Sequence, residues 1–128
     1  MGLDTSHNAW HGSYSSFGRF RDELAKRIGI NLDEYAGYNS GWKEGDPLGK
    51  DLKSIDHPLR DLFDHSDCDG ELTPAQCFTI AEGLKMVMDE IKIDEMKDFL
   101  VQDFFENCNQ FRDGCLLAYS KNESIDFH

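Results

Sequence analysis

Residues 65–76, HSDCDGELTPAQ, set oxygen donors on alternate positions around a glycine. Asp67 and Asp69 bring carboxylates, Gly70 permits a sharp turn, Glu71 adds a backbone carbonyl and Thr73 a hydroxyl. Hard divalent cations are held by such oxygen sets. Asp64, just before the run, supplies a further carboxylate, and His65 offers an imidazole nitrogen. The chemistry these residues suit is cation coordination. Calcium is the first expectation; zinc, manganese or nickel follows if the nitrogen takes part. The same letters also suit a bare turn, because Asp and Gly serve tight turns and carboxylates stabilise the start of a following helix. On that reading no ion is held.

Counted with Gly70 as the sixth residue, the run resembles the loop of a calcium-binding EF-hand. Asp67 is then position three, Asp69 five, Glu71 seven, the apolar Leu72 eight and Thr73 nine. The resemblance covers residues 58–90 or so and departs from the pattern at both ends. Position one is His65 and position twelve Gln76, where an aspartate and a glutamate belong. Without those two charges, affinity should fall orders of magnitude below the roughly 10⁻⁷–10⁻⁵ M of sensor loops. EF-hands generally work in pairs, and the chain carries one such run.

A second set lies near the start, in DTSHNAWH. His7 and His11 are four apart and would share a face on a helix, as zinc ligands often do, with Asp4 one turn earlier. The plainer reading makes His7 a surface cap and packs His11 beside Trp10. Should Asp4, His7, His11, His65, Asp67, Asp69 and His128 converge, they would form an Asp/His pocket of the kind two-metal hydrolases use on phosphate esters. No separate nucleophile or acid–base signature accompanies them. The four cysteines, Cys68, Cys77, Cys108 and Cys115, include no CxxC pair and read as core thiols rather than a zinc site, with Cys68 the reactive one. The strip GRFRDELAKR is basic in an acidic chain and reads as a solvated face, an ion-pairing partner or an anion-binding surface.

The elements that must position these residues read as helices. Tyr14, Phe17, Phe20, Leu24 and Ile28 recur every three or four residues over 13–28, with Arg19, Arg21, Asp22, Glu23, Lys26 and Arg27 on the other faces. Gly29 suits a helix stop. NLDEY is at most a helical turn. Residues 37–57 read as loop, with Trp42 folded back on the body and KDLKSI a short extended piece. DHPLRDLF opens a second helix around Pro58. Thr73 and Pro74 open a third that runs to about Lys92 along Cys77, Ile80, Ala81, Leu84, Val87, Met88 and Ile91. The fourth spans 94–120, central to the fold, with Met96, Leu100, Phe104, Cys108, Phe111, Cys115 and Ala118 on one face and Phe99, Phe105 and Leu116 on another. No strand alternation persists. The expectation is an all-α fold: a compact single domain over 1–128 of four main helices, with an EF-hand-like unit over about 58–92.

The chain has 128 residues and a formal charge of −12, and 39% of it is hydrophobic. Such a chain can bury a core. Its acidity should repel nucleic acid and anionic membrane and favour cations or a basic protein surface. No apolar run approaches a membrane span, and MGLDTSHNAW lacks the basic start and apolar stretch of a secretory signal. A cytosolic location with reduced cysteines is expected.

Three stretches, GLDTSHNAWHGSYSSFGRFR, HSDCDGELTPAQC and FRDGCLLAYSKNESIDFH, resemble a group of small uncharacterised proteins of phages, prophages and bacteria. The resemblance spans most of the chain and implies a cytosolic, phage-derived protein; it implies no activity. The leading expectation is a non-enzymatic protein with a cation-holding loop. Its rivals are a metal-dependent hydrolase and an acidic module that blocks a host factor.

Overall fold

A computed structural model describes residues 2–34, 52–65 and 69–128. Trp42, most of the loop over 37–57, Asp67 and Cys68 lie outside the described residues. The described residues are mostly helical, with four α-helices and two small two-stranded sheets among them. In order along the chain these are β1 (Gly2–Asp4), β2 (His11–Ser13), α1 (Tyr14–Arg27), α2 (Arg60–Phe63), β3 (Glu71–Leu72), α3 (Pro74–Glu90), α4 (Phe99–Ser120) and β4 (Ile125–Asp126).

The strands correct the all-helical expectation. The first dozen residues, too short and mixed to show alternation, form an antiparallel pair in which Leu3 faces Gly12 and Asp4 faces His11. Leu3, Ala9 and Trp10 are buried there. In the second sheet Glu71 pairs with Asp126 and Leu72 with Ile125, so the chain's last residues close on the 65–76 loop. Within KDLKSI, expected to be extended, the described residues Leu52–Ser54 form a 3₁₀ turn.

Helix α1 follows its apolar period. Ser13 caps it by accepting the Ser16 amide, and Gly29 follows at φ +82°, the left-handed conformation that ends helices at low cost in glycine. Phe17, Phe20 and Leu24 are buried. Phe17 and Phe20 meet Trp10 with ring centroids 5.2 and 5.1 Å away, and Phe111 of α4 at 6.3 and 6.2 Å. Arg21, which helical spacing puts on a polar face, is buried as well.

Helix α2 is a single turn. A Pro58–Leu59 turn precedes it, with His57 Nδ1 accepting the Leu59 amide at 3.1 Å. Helix α3 opens on a reciprocal cap: Thr73 Oγ1 accepts the Gln76 amide at 3.2 Å, and Gln76 Oε1 accepts the Thr73 amide at 2.9 Å. Replacing Thr73 with alanine should cost about 1 kcal/mol, and serine only a few tenths. Thermal denaturation of the two variants checks this; equal loss in both would mean the hydroxyl cap contributes nothing.

Helix α4 packs along α3, and Phe104, Cys108, Phe111, Cys115 and Ala118, on the face its period predicts, are buried, with Phe104 and Phe111 meeting Phe20 of α1. Gly114 permits the close approach of the N-terminal segment, since a Cβ there would sit 2.6 Å from Ala9 Cβ and 2.8 Å from its Cα. The helix begins at Phe99 rather than at 94: Glu95–Lys97 is a 3₁₀ turn and Asp98 the cap. Phe99 and Leu100 are exposed, so the first turn of α4 is not central. Among the described residues no helix is long and apolar enough to cross a membrane.

Candidate functional site

The 65–76 loop hangs between two anchors. At its start, buried Leu62 and Phe63 fix the end of α2, whose last carbonyls have no helical partner. Arg21 of α1 supplies one. Its Nη1 donates to the carbonyl oxygens of Leu62 (3.3 Å), Phe63 (3.4 Å) and His65 (2.7 Å), while the guanidinium stacks 4.7 Å from the Phe17 ring centroid. A positive charge at a helix C-terminus is favourable, more so when buried. At the loop's end, Leu72 is fully buried and the Thr73–Gln76 cap starts α3.

Between the anchors, Gly70 sits at φ +90°, a left-handed turn that glycine adopts at low cost. The His65 ring covers it: a Cβ on Gly70 would stand 3.4 Å from the imidazole. His65 Nε2 lies 3.0 Å from the Glu71 carbonyl oxygen. A carbonyl only accepts, so Nε2 carries the proton. The other side of the ring packs on Phe127, centroid to centroid 4.1 Å. The Phe127 amide in turn donates to the Gly70 carbonyl at 2.9 Å.

The Glu71 carbonyl is thus taken up by the N–H of His65. Asp64 and Asp69 are exposed at either side of the loop. Thr73 Oγ1 and Gln76 Oε1 are engaged in the helix cap, so a cation could share these oxygens only alongside the amides they already hold. The residues fit a cation in part. Glu71 O and the Asp69 carboxylate suit calcium, whereas His65 must either leave for calcium or serve as a nitrogen ligand to zinc, manganese or nickel.

The N-terminal set does not act as a helix face. His7 and Asn8 have φ +61° and +56°, which places them in a tight connection between β1 and β2. His11 Nδ1 contacts Asp4 Oδ1 at 2.8 Å and its Nε2 contacts Asn8 Oδ1 at 2.7 Å, both exposed. His7 turns the other way. Its Nδ1 lies 2.8 Å from Ser6 Oγ and its Nε2 2.9 Å from Glu123 Oε1, and that N–H holds the Glu123 carboxyl below the usual carboxylate range.

Ser6, His7 and Glu123 follow the order of a nucleophile relay. Ser6 Oγ already accepts the Asp126 amide at 2.9 Å, and the neighbouring cavity of about 430 Å³ has His7 and Asn8, not Ser6, on its wall beside Glu106, Gln110 and Asp113. The relay ties the turn to the chain's end.

The C-terminal residues run between the two sets. Thr5 bridges Phe127, and Asp4 and His128 exchange backbone bonds of 3.0 and 2.9 Å. His128 also stands 3.8 Å from Asp126. Asp4 pairs with His11, His7 with Glu123 and His65 with Glu71; among the described residues no three His, Cys, Asp or Glu side chains gather as a metal group. Cys77, Cys108 and Cys115 are buried thiols. Burial pushes Cys108 up to about 12, and the contact with Cys77 pushes Cys115 upward too, so neither is poised to react.

Arg21, Glu123 and Phe127 are the positioning residues that pattern reading passed over. The signal for Phe127 was legible: Ile125 and Phe127 alternate with polar neighbours in the closing residues, a strand period of two. Comparison with protein-family models, with curated proteins and with solved structures finds no match.

Proposed function

We propose that this is a non-enzymatic protein whose 64–76 loop is a weak divalent-cation site of the EF-hand type, calcium being the ion its oxygens suit best. Asp67 and Asp69 give carboxylates, Glu71 its carbonyl, and Asp64 and Thr73 lie within the loop to complete the shell. The observation that supports the reading is the Glu71 carbonyl beside Gly70 at φ +90°, with the His65 imidazole as its side-chain partner. The cation competes with His65, which is why affinity is low. The single loop needs no second EF-hand, because β4 supplies the strand that pairs with β3. The motif resemblance supports a cytosolic, phage-derived chain.

Thermal denaturation with added ions tests it. With calcium at ten times Kd, binding stabilises the folded state by about 1.4 kcal/mol, a rise in Tm of about 5 °C. Asp69→Ala removes the rise. A larger rise with zinc or nickel than with calcium would mark His65 as a ligand rather than a competitor. No rise with any of these ions at 10 mM, taken as about ten times Kd for a loop of the weakest class, contradicts the proposal.

A further inference from the structure

The corner between α3 and α4 presents three large apolar side chains to solvent: Ile93 is 87% exposed, Phe99 76% and Leu100 75%. Single exposed apolar residues are ordinary, whereas three within eight residues call for a cause. A frayed segment would be one, but this corner is tied at several points. Glu95 Oε2 accepts the Lys92 amide at 2.8 Å, and Glu95 Oε1 meets Arg27 of α1 at 3.4 Å. Asp98 Oδ1 accepts the Leu100 amide at 2.9 Å, and Gln102 Nε2 donates to the Met96 carbonyl at 2.6 Å. The Lys92 amide, with Arg27 beside it, holds the Glu95 carboxyl below its usual range. The three side chains are thus displayed on a hydrogen-bonded backbone, which lowers the backbone-ordering cost of binding.

Beside Leu100 a cleft of about 210 Å³ opens between α1 and α4, with Phe20 and Phe104 on its wall and Glu23 and Asp103 at its side. It has room for a large apolar side chain. The surrounding segment is acidic: residues 89–106 carry seven carboxylates against two lysines, of which Asp89, Asp94 and Glu95 are paired with Lys85, Lys97 and Arg27. Arg19 on the α1 side of the cleft is a further cation.

We infer that Ile93, Phe99, Leu100 and the adjoining cleft form a docking surface for a basic, amphipathic segment of another protein. The apolar residues anchor it, and the carboxylates select Lys or Arg at its edges. A second copy of this chain is disfavoured, because two faces with the same carboxylate excess would meet. An anionic membrane is disfavoured by the same charge.

The test uses the full chain and two synthetic peptides, a 20-residue amphipathic helix of Lys and Leu and its Glu-for-Lys counterpart, followed by calorimetry and fluorescence anisotropy. The wild type should bind the basic peptide and not the acidic one, with affinity that falls as salt rises. The Ile93→Ser/Phe99→Ser/Leu100→Ser variant should bind at least tenfold more weakly while keeping its Tm, since these residues touch little. Ile93→Ser alone, at the most exposed of the three, serves if the triple variant melts early. Equal binding by the variants would reduce the effect to general acidity and overturn the proposal. So would absence of binding, or wild-type self-association that the substitutions abolish, which would make a second copy the occupant.

Discussion

Replacing Arg21 with methionine should lower the unfolding free energy by about 3–5 kcal/mol, measured by urea denaturation. Three carbonyl oxygens, of Leu62 and Phe63 at the end of α2 and of His65 just beyond it, lose the charged donor they share. Methionine fills much of the volume and keeps the contact with Phe17, so the loss reports the hydrogen bonds rather than a cavity. Lysine keeps the charge but not the planar fork, and should recover part of the loss. The same substitution should weaken any cation-induced rise in Tm, because the start of the loop is no longer held. A loss below about 1 kcal/mol would mean that α2 ends without help from the guanidinium.

Phe127→Ala should cost about 3–4 kcal/mol despite its place next to the last residue. Its ring is buried, packs on His65 at 4.1 Å and meets Phe17 at 6.1 Å. The backbone bond to Gly70 survives in the variant, so the measured loss isolates the side chain. Phe127→Leu, closer in volume, should lose less than about 1.5 kcal/mol. Hydrogen exchange over residues 125–128 should quicken in the alanine variant. Unchanged stability and exchange would show that the closing strand rests on its backbone alone.

The helical part of the fold was legible where the apolar period was long. Phe17–Phe20–Leu24 and Phe104–Cys108–Phe111–Cys115 each repeat often enough to fix a buried face, and Thr73-Pro74 marks a start by capping chemistry that acts within four residues. Apart from the alternation at Ile125 and Phe127, the strands were not legible, because each is two or three residues long; β3 pairs with the distant β4, and β1, besides its hairpin partner β2, leans on residues 127–128. Arg21 was misplaced for a related reason. Helical spacing gives it a direction, but only the arrival of α2, about forty residues later in sequence, turns that direction into the interior.

At the loop, donor types and the turn at Gly70 could be read from spacing. The engagement of His65 with Glu71 could not, since it depends on Phe127 backing the imidazole. Likewise, the four-residue spacing of His7 and His11 suggested a shared helix face, and the left-handed backbone at His7 and Asn8 sends the two rings to different partners.

The loop is tested most directly by anomalous diffraction from a crystal grown in excess manganese. The account predicts a peak in contact with the Asp69 carboxylate and the Glu71 carbonyl, with His65 either turned away from Glu71 or bound to the ion. A loop without anomalous signal, in which His65 Nε2 still bonds the Glu71 carbonyl, would contradict it.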